Sequence, residues 1–348
     1  MKTINYLVAL AAVVSVACGG NQQAAPKSAA AHVKIQGAGA SFPAPLYSKW
    51  FKTYSAAHDG VQIDYQSVGS GSGVKAVIDK TVDFGASDAA MNAEEIAQVP
   101  GGVQLLPMTA GNVVIPYNLE GVRDLKLSRK AYAGIFLGTV KKWNDPLIAA
   151  TNQDAKLPDE PINVVVRADS SGTTFVFTKH LSAISPEFAA SPGTNKMPNW
   201  PVGTRSKGNE GVTASLKTTP GSIGYIEYGY AKSQGLAMAS LENKAGAFVA
   251  PSTESGQAAL ASAPLPEDMI AWASDPDGQG SYPIVTYTWL ILYKQYPEKG
   301  KLDILQDLVK YAMSEGQKES EALGYIPLPT AVADKVRAAV GNVTVASN

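Results

Sequence analysis

A strand–helix–strand alternation near the start of the chain is the sequence feature that most constrains its fold. Residues 33–36 (VKIQ) predict a short strand, and residues 61–68 (VQIDYQSV) alternate apolar and polar side chains as a half-buried strand does. Between them, LYSKWFKTYSAAH carries aromatic residues at the i, i+3, i+4 and i+7 spacing of one helix face, namely Tyr47, Trp50, Phe51 and Tyr54. This alternation predicts an α/β fold, with a parallel sheet and helices on its faces.

A second α/β block is predicted from Asn112, where NVVIPYNL begins. A loop-rich region follows at 245–280, then a strong strand at 283–294 and amphipathic helices at 302–313 and 330–340. The chain has 348 residues, of which 45% are hydrophobic, so we expect two domains with a large buried core.

The charge of the chain argues against a nucleic-acid partner. Charged residues make up 17% of the sequence and the formal net charge is -1. A protein that binds nucleic acid usually presents a broad basic surface, which this composition does not supply. Any anion must therefore be attracted by a local site.

The N-terminal segment MKTINYLVALAAVVSVAC predicts a secretory signal peptide at 1–17. Its apolar run is too short to span a bilayer comfortably, which takes about 20 residues. Cys18 is the only cysteine, so it forms no internal disulfide, and it lies where a bacterial lipoprotein carries its lipidated cysteine. Ser15 stands where such signals usually have Leu, so an ordinary signal peptide remains the alternative.

The segment after Cys18 favours lipid anchoring. Residues 18–32 are rich in Gly, Gln, Ala and Ser and contain no large apolar side chain, as in a disordered tether. A tether of this kind is useful when its first residue is attached to a membrane. The sequence therefore predicts a protein that is anchored to a membrane through Cys18 and does not span it.

The turn RADSSGTT, which follows a run of valines, has the composition of an anion site. Arg167 ends the predicted strand, and Ser171 begins a predicted helix whose free N–H groups and positive partial charge attract anions. Asp169 is placed to pair with Arg167 and orient its guanidinium. The alternative, equally supported by this stretch alone, is that Ser171 only caps a helix and Arg167 lies on the surface.

Two further Gly/Ser turns follow predicted strands. The first, GASF, offers the hydroxyl of Ser41 and the backbone N–H groups around Phe42. The second, GSGSG at 69–73, precedes a helix predicted at 74–82 and offers the hydroxyl of Ser70. GSGSG lacks the Gly-Lys-Ser/Thr ending of a P-loop, and a flexible turn is its alternative interpretation. In open α/β sheets, ligands bind beyond the carboxyl ends of strands, where these turns are expected.

Asp88, in the turn DFGASDAA, is an unusual residue for a site that binds an anion. A carboxylate repels an anion unless the anion still carries a proton that the carboxylate can accept in a hydrogen bond. Phosphate keeps at least one proton at neutral pH, whereas sulfate keeps none. Asp88 is therefore predicted to select phosphate and to penalise sulfate through an unpaired charge.

Signs of catalysis or of a metal site are weak. The three histidines, His32, His58 and His180, are far apart in sequence, and no Cys/His cluster has the spacing of metal ligands. Neither Ser70 nor Ser171 lies in a Gly-x-Ser-x-Gly motif. A Ser–His–Asp triad that uses His180 remains an alternative, although we expect His180 to cap its helix or to face solvent. The sequence predicts no enzyme activity, no cofactor and no metal.

Several long motifs resemble one known family when taken together. GAGASFPAPLYSKW, GSGSGVKAVIDKTVDFGASDAAM, LGTVKKWNDPLI, VVVRADSSGTTFVFTKHL and PGSIGYIEYGYAK occur in this order. They closely resemble the periplasmic phosphate-binding proteins of bacterial high-affinity phosphate ABC transporters. The resemblance runs from about residue 33 to the C-terminal helices and is far more specific than any single turn.

The resemblance implies a type II-like periplasmic-binding-protein fold, in which two α/β lobes are joined by two crossing strands. The first lobe would comprise residues 33–112 and 285–348, and the second lobe residues 113–284. Phosphate would be enclosed in the cleft between them. The implied phosphate contacts are Ser41, Phe42, Ser70, Asp88, Arg167, Ser171, Gly172 and Thr173, with Asp169 orienting Arg167. The family often has Thr at the position of Ser41, and the hydroxyl is retained.

The function that the resemblance implies is specific binding with hinge closure. A monomer in the periplasm, or on the outer face of a bacterial membrane, would enclose inorganic phosphate and present it to the permease subunits of an ABC transporter for import. Three alternatives stay open. They are a phosphate-ester hydrolase that uses the same anion site, a binder of another oxyanion such as sulfate or molybdate, and a surface adhesion or signalling module.

Overall fold

The computed structural model describes residues 32–346, which form two larger β-sheets and two small sheets of three and two strands. The predicted signal peptide, Cys18 and all of the predicted tether except His32 lie outside the described residues. In chain order the strands are β1 (Val33–Gly39), β2 (Val61–Ser67), β3 (Phe84–Ser87), β4 (Val103–Val114), β5 (Pro116–Asn118), β6 (Lys126–Leu127), β7 (Asn163–Arg167), β8 (Thr204–Ser206), β9 (Ser222–Gly224), β10 (Ile226–Glu227), β11 (Ala237–Met238), β12 (Ser240–Glu242), β13 (Phe248–Val249), β14 (Val285–Tyr293), β15 (Gln295–Tyr296) and β16 (Thr344–Val345).

The helices pack on the faces of these sheets. In chain order they are α1 (Ala44–Ala57), α2 (Ser70–Ile78), α3 (Ala93–Ala97), α4 (Arg129–Leu137), α5 (Pro146–Ala149), α6 (Gly172–Ile184), α7 (Pro186–Ala190), α8 (Gly208–Thr218), α9 (Tyr228–Ser233), α10 (Thr253–Ala261), α11 (Lys299–Ala312) and α12 (Thr330–Val340). Two 3₁₀ helices lie at Glu315–Glu319 and Glu321–Leu323. The α/β class predicted from the alternating pattern is confirmed.

The first sheet has six strands in the order β10-β4-β14-β3-β1-β2. Strand β1 pairs in parallel with β2 and β3, as the alternating pattern predicts. Strand β14 pairs antiparallel with both β3 and β4, so the sheet is mixed. After β4 the chain forms the second sheet, and it then returns to the first sheet as β14. This strand runs antiparallel to β3 and β4.

The second sheet has five strands in the order β11-β5-β9-β7-β8. Strand β7 pairs in parallel with β8 and β9. Only Ile115 separates β4 in the first sheet from β5 in the second, and only Tyr225 separates β9 in the second sheet from β10 in the first. The chain therefore passes between the sheets at these two buried residues. The lobe boundaries implied at 112/113 and 284/285 stay a prediction.

The aromatic face predicted for the first helix forms part of the core. Tyr47, Trp50, Phe51 and Tyr54 of α1 are all buried. The rings of Phe51 and Phe84 pack edge to face with centroids 5.6 Å apart, which ties α1 to strand β3. This packing fixes the turn before α1, which carries Ser41 and Phe42, relative to the end of β3, which carries Asp88.

Two local expectations differ from the structure. Helix α2 begins at Ser70, inside the segment GSGSG, so only Gly69 (φ 95°) acts as a turn residue. A β-carbon on Gly73 would lie 2.5 Å from the Cα of Gly39, so glycine is needed there for close packing of helix on strand and not for a flexible loop. The predicted loop-rich region at 245–280 contains helix α10. Within residues 32–346 no helix is both long and apolar enough to cross a bilayer.

Candidate functional site

The ends of strands β1, β2, β3 and β7 bring their polar turns together. The backbone N–H of Asp88 donates to Ser70 Oγ at 3.2 Å, which joins the turns after β3 and β2. A β-carbon on Gly172, at the start of α6, would lie 2.7 Å from Asp88 Cβ and would collide with Ser70 Oγ. The first turn of α6, which follows strand β7 of the second sheet, therefore lies directly against two turns that follow strands of the first sheet.

Arg167 is the last residue of β7 and is buried, with 2% of its surface exposed. Its Nε donates to Asp169 Oδ1 at 2.9 Å and its Nη2 donates to Asp169 Oδ2 at 2.5 Å. The remaining terminal nitrogen, Nη1, is buried and has no hydrogen-bond partner within residues 32–346. Burial raises the pKa of Asp169, but hydrogen bonds and charge from Arg167 outweigh it and hold that pKa below its ordinary value. Asp169 therefore stays ionised and fixes the guanidinium plane.

The N-terminus of α6 offers backbone donors next to Arg167. Ser171 is the N-cap, and its Oγ accepts from the N–H of Thr174 at 3.0 Å. The alternative that Ser171 caps a helix is thus correct in part, but Arg167 is not on the surface. Among the described residues, no acceptor is found for the backbone N–H groups of Gly172 and Thr173. These groups carry the positive end of the helix dipole.

The turns of the first sheet offer donors of the same kind. The backbone N–H groups of Ser41, Phe42 and Ser70 also have no acceptor in the part of the chain that the structure describes. All three residues are at most 1% exposed. The ring of Phe42 packs against Tyr325 with centroids 6.2 Å apart, so Phe42 can contribute its backbone and not its side chain to a polar ligand. Buried N–H groups without partners are costly, which indicates a ligand that accepts hydrogen bonds.

Asp88 lies among these donors and is 1% exposed. Its Oδ1 accepts from Thr288 Oγ1 at 2.9 Å, and its Oδ2 accepts from Thr173 Oγ1 at 3.2 Å. Burial raises the pKa of Asp88 to about 7, although hydrogen bonds from Thr288 and Thr173 and the charge of Arg167 act to lower it. Each carboxylate oxygen retains room for a further donor.

Sequence reasoning missed Asn209 and Thr288. Asn209 lies in the first turn of α8, is fully buried and contacts both Ser41 and Thr173. It follows Gly208 (φ 70°) at the carboxyl end of β8, so the strand-to-helix signal used for the other turns was also present there. Thr288 is a polar residue in the apolar strand β14, a pattern that resembles ordinary core packing.

The expectation that His180 caps its helix or faces solvent is wrong. His180 lies within α6, is 1% exposed, and its Nε2 lies 2.9 Å from the hydroxyl of Tyr132. Helix α4 carries Tyr132 and packs against α6, which covers the ring. Burial lowers the pKa of His180 to about 3, so the ring is neutral. It has no contact with a serine hydroxyl or a carboxylate among the described hydrogen bonds.

The chemistry of this constellation is that of binding an oxyanion. It combines one cationic nitrogen, backbone N–H groups from three helix-start turns and one carboxylate that can accept a proton in a hydrogen bond. Residues 32–346 contain no cluster of His, Cys, Asp and Glu that could hold a metal ion. The arrangement fits a small anion that accepts many hydrogen bonds and carries at least one proton.

A family model and two curated relatives all match this chain to binding proteins. A family model described as a PBP superfamily domain matches residues 24–315. The phosphate-binding protein PstS of Pasteurella multocida (strain Pm70) is 44% identical over 310 residues, covering 87% of this chain and 89% of that protein. PstS of Haemophilus influenzae (strain ATCC 51907 / DSM 11121 / KW20 / Rd) is 42% identical over 309 residues, covering 87% and 91%.

A solved structure supports the same fold. It is that of a high-affinity periplasmic phosphate-binding protein, PfluDING, bound with phosphate. The TM-score is 0.72 at 23% sequence identity, with 88% of this chain and 93% of that chain covered. At this level of identity the likeness concerns the fold, and it agrees with the periplasmic-binding-protein architecture implied by the sequence motifs.

Proposed function

Because this chain belongs to the PBP superfamily and, within it, to the family of the phosphate-binding proteins PstS, we propose that it binds inorganic phosphate in the cell envelope and delivers it to an ABC-transporter permease for import. The family supports the cargo and the role in transport. The chemistry of the site supports the same ligand independently, because it combines many donors with one acceptor.

The observation that carries the proposal is the buried Nη1 of Arg167, which has no partner in the part of the chain that the structure describes. A guanidinium nitrogen that is removed from water and left without an acceptor is strongly disfavoured. A phosphate oxygen placed between Nη1 and the N-terminus of α6 satisfies this nitrogen and the free N–H groups of Gly172 and Thr173 at once.

The remaining contacts complete a cage around the ion. In our proposal the backbone N–H groups and hydroxyls of Ser41 and Ser70, the N–H of Phe42 and the hydroxyl of Ser171 donate to phosphate oxygens. Asp88 accepts the proton that phosphate retains. Sulfate presents no such proton, so its binding leaves Asp88 facing a bare anion oxygen, which is the basis proposed for selectivity.

Closure of the cleft is the proposed mechanical step. Contacts that join segments of the two sheets support it: the N–H of Gly71 donates to the carbonyl of Ser170 at 2.9 Å, and Lys196 Nζ lies 2.7 Å from Glu95 Oε1. When the sheets close on phosphate, fixed donors replace its water. The closed form is then the species that the permease subunits recognise. No chemical step is part of this proposal.

Further parts of the proposal concern organisation and location. We propose that the lobes divide at 112/113 and 284/285, that residues 1–17 are removed, and that a lipid on Cys18 attaches the chain through the tether at 18–32. The protein would act as a monomer in the periplasm or on the outer face of a bacterial membrane. Mass spectrometry of the protein isolated from membranes would detect the lipid on Cys18.

Calorimetric titration of the chain from His32 onward, stripped of bound ligand, tests the proposal. We expect tight one-to-one binding of phosphate and no signal with sulfate. Equal binding of both ions would retain the anion site and contradict the role of Asp88. Binding of neither ion, or turnover of a phosphate ester, would contradict the carrier function.

A further inference from the structure

Asn209 connects the two sides of the proposed cage, namely the turn before α1 and the start of α6. It is fully buried in the first turn of α8. Its Nδ2 lies 2.9 Å from Ser41 Oγ, at the end of β1, and 3.3 Å from Thr173 Oγ1, at the start of α6. Its backbone N–H also donates to Ser41 Oγ, at 3.0 Å.

The orientation of the Asn209 amide is determined by a third contact. The backbone N–H of Glu227 lies 3.0 Å from Asn209 Oδ1. A backbone N–H can only donate, so the atom that faces it must be the carbonyl oxygen of the amide. The NH₂ group therefore faces the two hydroxyls and donates one hydrogen to Ser41 and the other to Thr173.

These donations restrict the direction in which each hydroxyl proton can point. A hydroxyl oxygen has two lone pairs and one hydrogen. On Ser41, both lone pairs are occupied by the backbone N–H and Nδ2 of Asn209, so the hydrogen must point elsewhere. On Thr173, the oxygen accepts from Nδ2 and its hydrogen goes to Asp88 Oδ2.

We propose that Asn209 is a positioning residue that makes Ser41 an obligatory donor to phosphate and favours donation from Thr173 to Asp88. The inference rests on the proposed function, because it assumes that phosphate occupies the cage. A serine hydroxyl can donate or accept, and a binding site for an anion needs it to donate. Asn209 prevents the Ser41 hydroxyl from accepting and adds no charge to the site. It also leaves Asp88 able to accept the phosphate proton.

The substitution Asn209→Asp tests this directly, because it keeps the shape of the side chain and replaces the NH₂ with an acceptor. At pH 8 both hydroxyl protons can turn toward the new carboxylate, which also repels the ion. We expect calorimetry with inorganic phosphate to show binding about 100-fold weaker than in the wild type. At pH 5, protonation of the new carboxyl restores one donor, and the ratio of variant to wild-type Kd should fall at least about tenfold.

Asn243→Asp is the matched control. Asn243 is also fully buried, and its amide donates to the carbonyls of Gly278 and Ser281 away from the cage. This variant should unfold at a lower temperature and bind phosphate with wild-type affinity at both pH values. A loss in Asn209→Asp that does not change with pH, or an equal loss in Asn243→Asp, would indicate a merely structural role and overturn the inference.

A double-mutant cycle tests whether Asn209 acts through Ser41 even if Asn209→Asp does not fold. If Asn209 acts through the hydroxyl of Ser41, the loss of affinity caused by Asn209→Ala should be at least about threefold smaller in a Ser41→Ala background. Additive losses would overturn the inference. Unchanged phosphate binding in the Asn209 variants would overturn it alone, whereas a wild-type protein that binds no phosphate would overturn it together with the proposed function.

Discussion

Two turns of the site each carry an aspartate, and their surroundings shift its pKa in opposite directions. In the Arg167 turn (residues 167–173), Arg167 holds the pKa of Asp169 below its ordinary value even though burial raises it. In the Asp88 turn (residues 87–89), burial raises the pKa of Asp88 to about 7, since hydrogen bonds from the neutral hydroxyls of Thr288 and Thr173 and the charge of Arg167 offset the effect of burial only in part. Asp169 stays ionised beside a cation, whereas Asp88 binds a proton more readily than an ordinary aspartate does.

Under the proposed function, this difference would let one site attract an anion and still reject some anions. The Arg167 turn supplies charge and donors, which any oxyanion of suitable size can use. The Asp88 turn supplies an acceptor, which only a protonated oxyanion can use. Affinity and selectivity are thus expected to lie in separate turns, and substitutions can separate them.

The largest expected effect comes from Arg167→Ala. Removing one member of a buried charged pair costs on the order of 2–5 kcal/mol, so phosphate binding should weaken by roughly 30- to 5,000-fold in calorimetry. Arg129→Ala is the control, since Arg129 forms a similar pair with Asp275, at 2.6 and 2.7 Å. It should lower stability without a change in phosphate affinity. Wild-type affinity in Arg167→Ala would remove this turn from the site.

The next effect is on stability in the absence of phosphate. Burial raises the pKa of Asp88 from 3.8 to about 7, so the folded state binds this proton more tightly than the unfolded state. The resulting stabilisation is complete below about pH 4 and is lost as the pH rises through about 7, on the order of 4 kcal/mol in total.

The measurement must separate Asp88 from His180. Burial lowers the pKa of His180 to about 3, which gives the opposite slope below about pH 6.5. The quantity to measure is therefore the difference in free energy of unfolding between the wild type and Asp88→Asn, from urea denaturation at a series of pH values. We expect the advantage of the wild type to decrease from pH 4 to pH 8. A difference that stays constant with pH would contradict the assignment to Asp88.

Asp88→Asn should change selectivity more than overall affinity. The new NH₂ donates where the carboxylate accepted, so phosphate binding should weaken and sulfate binding should strengthen, each by about tenfold. Asp83→Asn, at the other end of β3, is the control, because Asp83 pairs with Lys301 and lies outside the cage. An unchanged ratio of phosphate to sulfate affinity in Asp88→Asn would show that selectivity arises elsewhere.

The smallest expected effect concerns the ion pair that joins the two sides. Lys196 and Glu95 are partly exposed, with 19% and 23% of their side chains accessible, and such pairs contribute about 0.2–1 kcal/mol. Lys196→Gln should therefore speed phosphate dissociation in stopped-flow measurements by no more than about fivefold. Lys142→Gln, which breaks an exposed pair with Asp159, should leave the rate unchanged. Equal rates in both variants would exclude a role for the Lys196–Glu95 pair.

Sequence reasoning was most successful where the chemistry is local. The Arg167 turn could be recognised because its cation, its acid and its helix N-cap lie within residues 167–173. The strand ends that carry Ser41, Ser70 and Asp88 followed from the alternating pattern, since the carboxyl ends of parallel strands share one edge. The structure brings these residues together, and their role as phosphate ligands stays a prediction.

The parts that sequence reasoning missed depend on distant segments. Thr288 reaches Asp88 from β14, across a separation of 200 residues, and its neighbours in the chain read as an ordinary apolar strand. The burial of His180 depends on α4, which packs over it, and no local pattern in α6 specifies that. Antiparallel pairing by β14 likewise follows from where the chain re-enters the first sheet.

The close approach of Gly172 to Ser70 and Asp88 bears on how quickly a bound ion can leave. No side chain fits between its Cα and the turn that carries Asp88, and the polar groups around the proposed ion are at most 2% exposed. Side-chain rotation alone cannot open a path from such an enclosure. Under the proposed closure, we expect the residence time of the ion to depend on how often the two sheets separate, and a single methyl group at Gly172 would shorten it by keeping them apart.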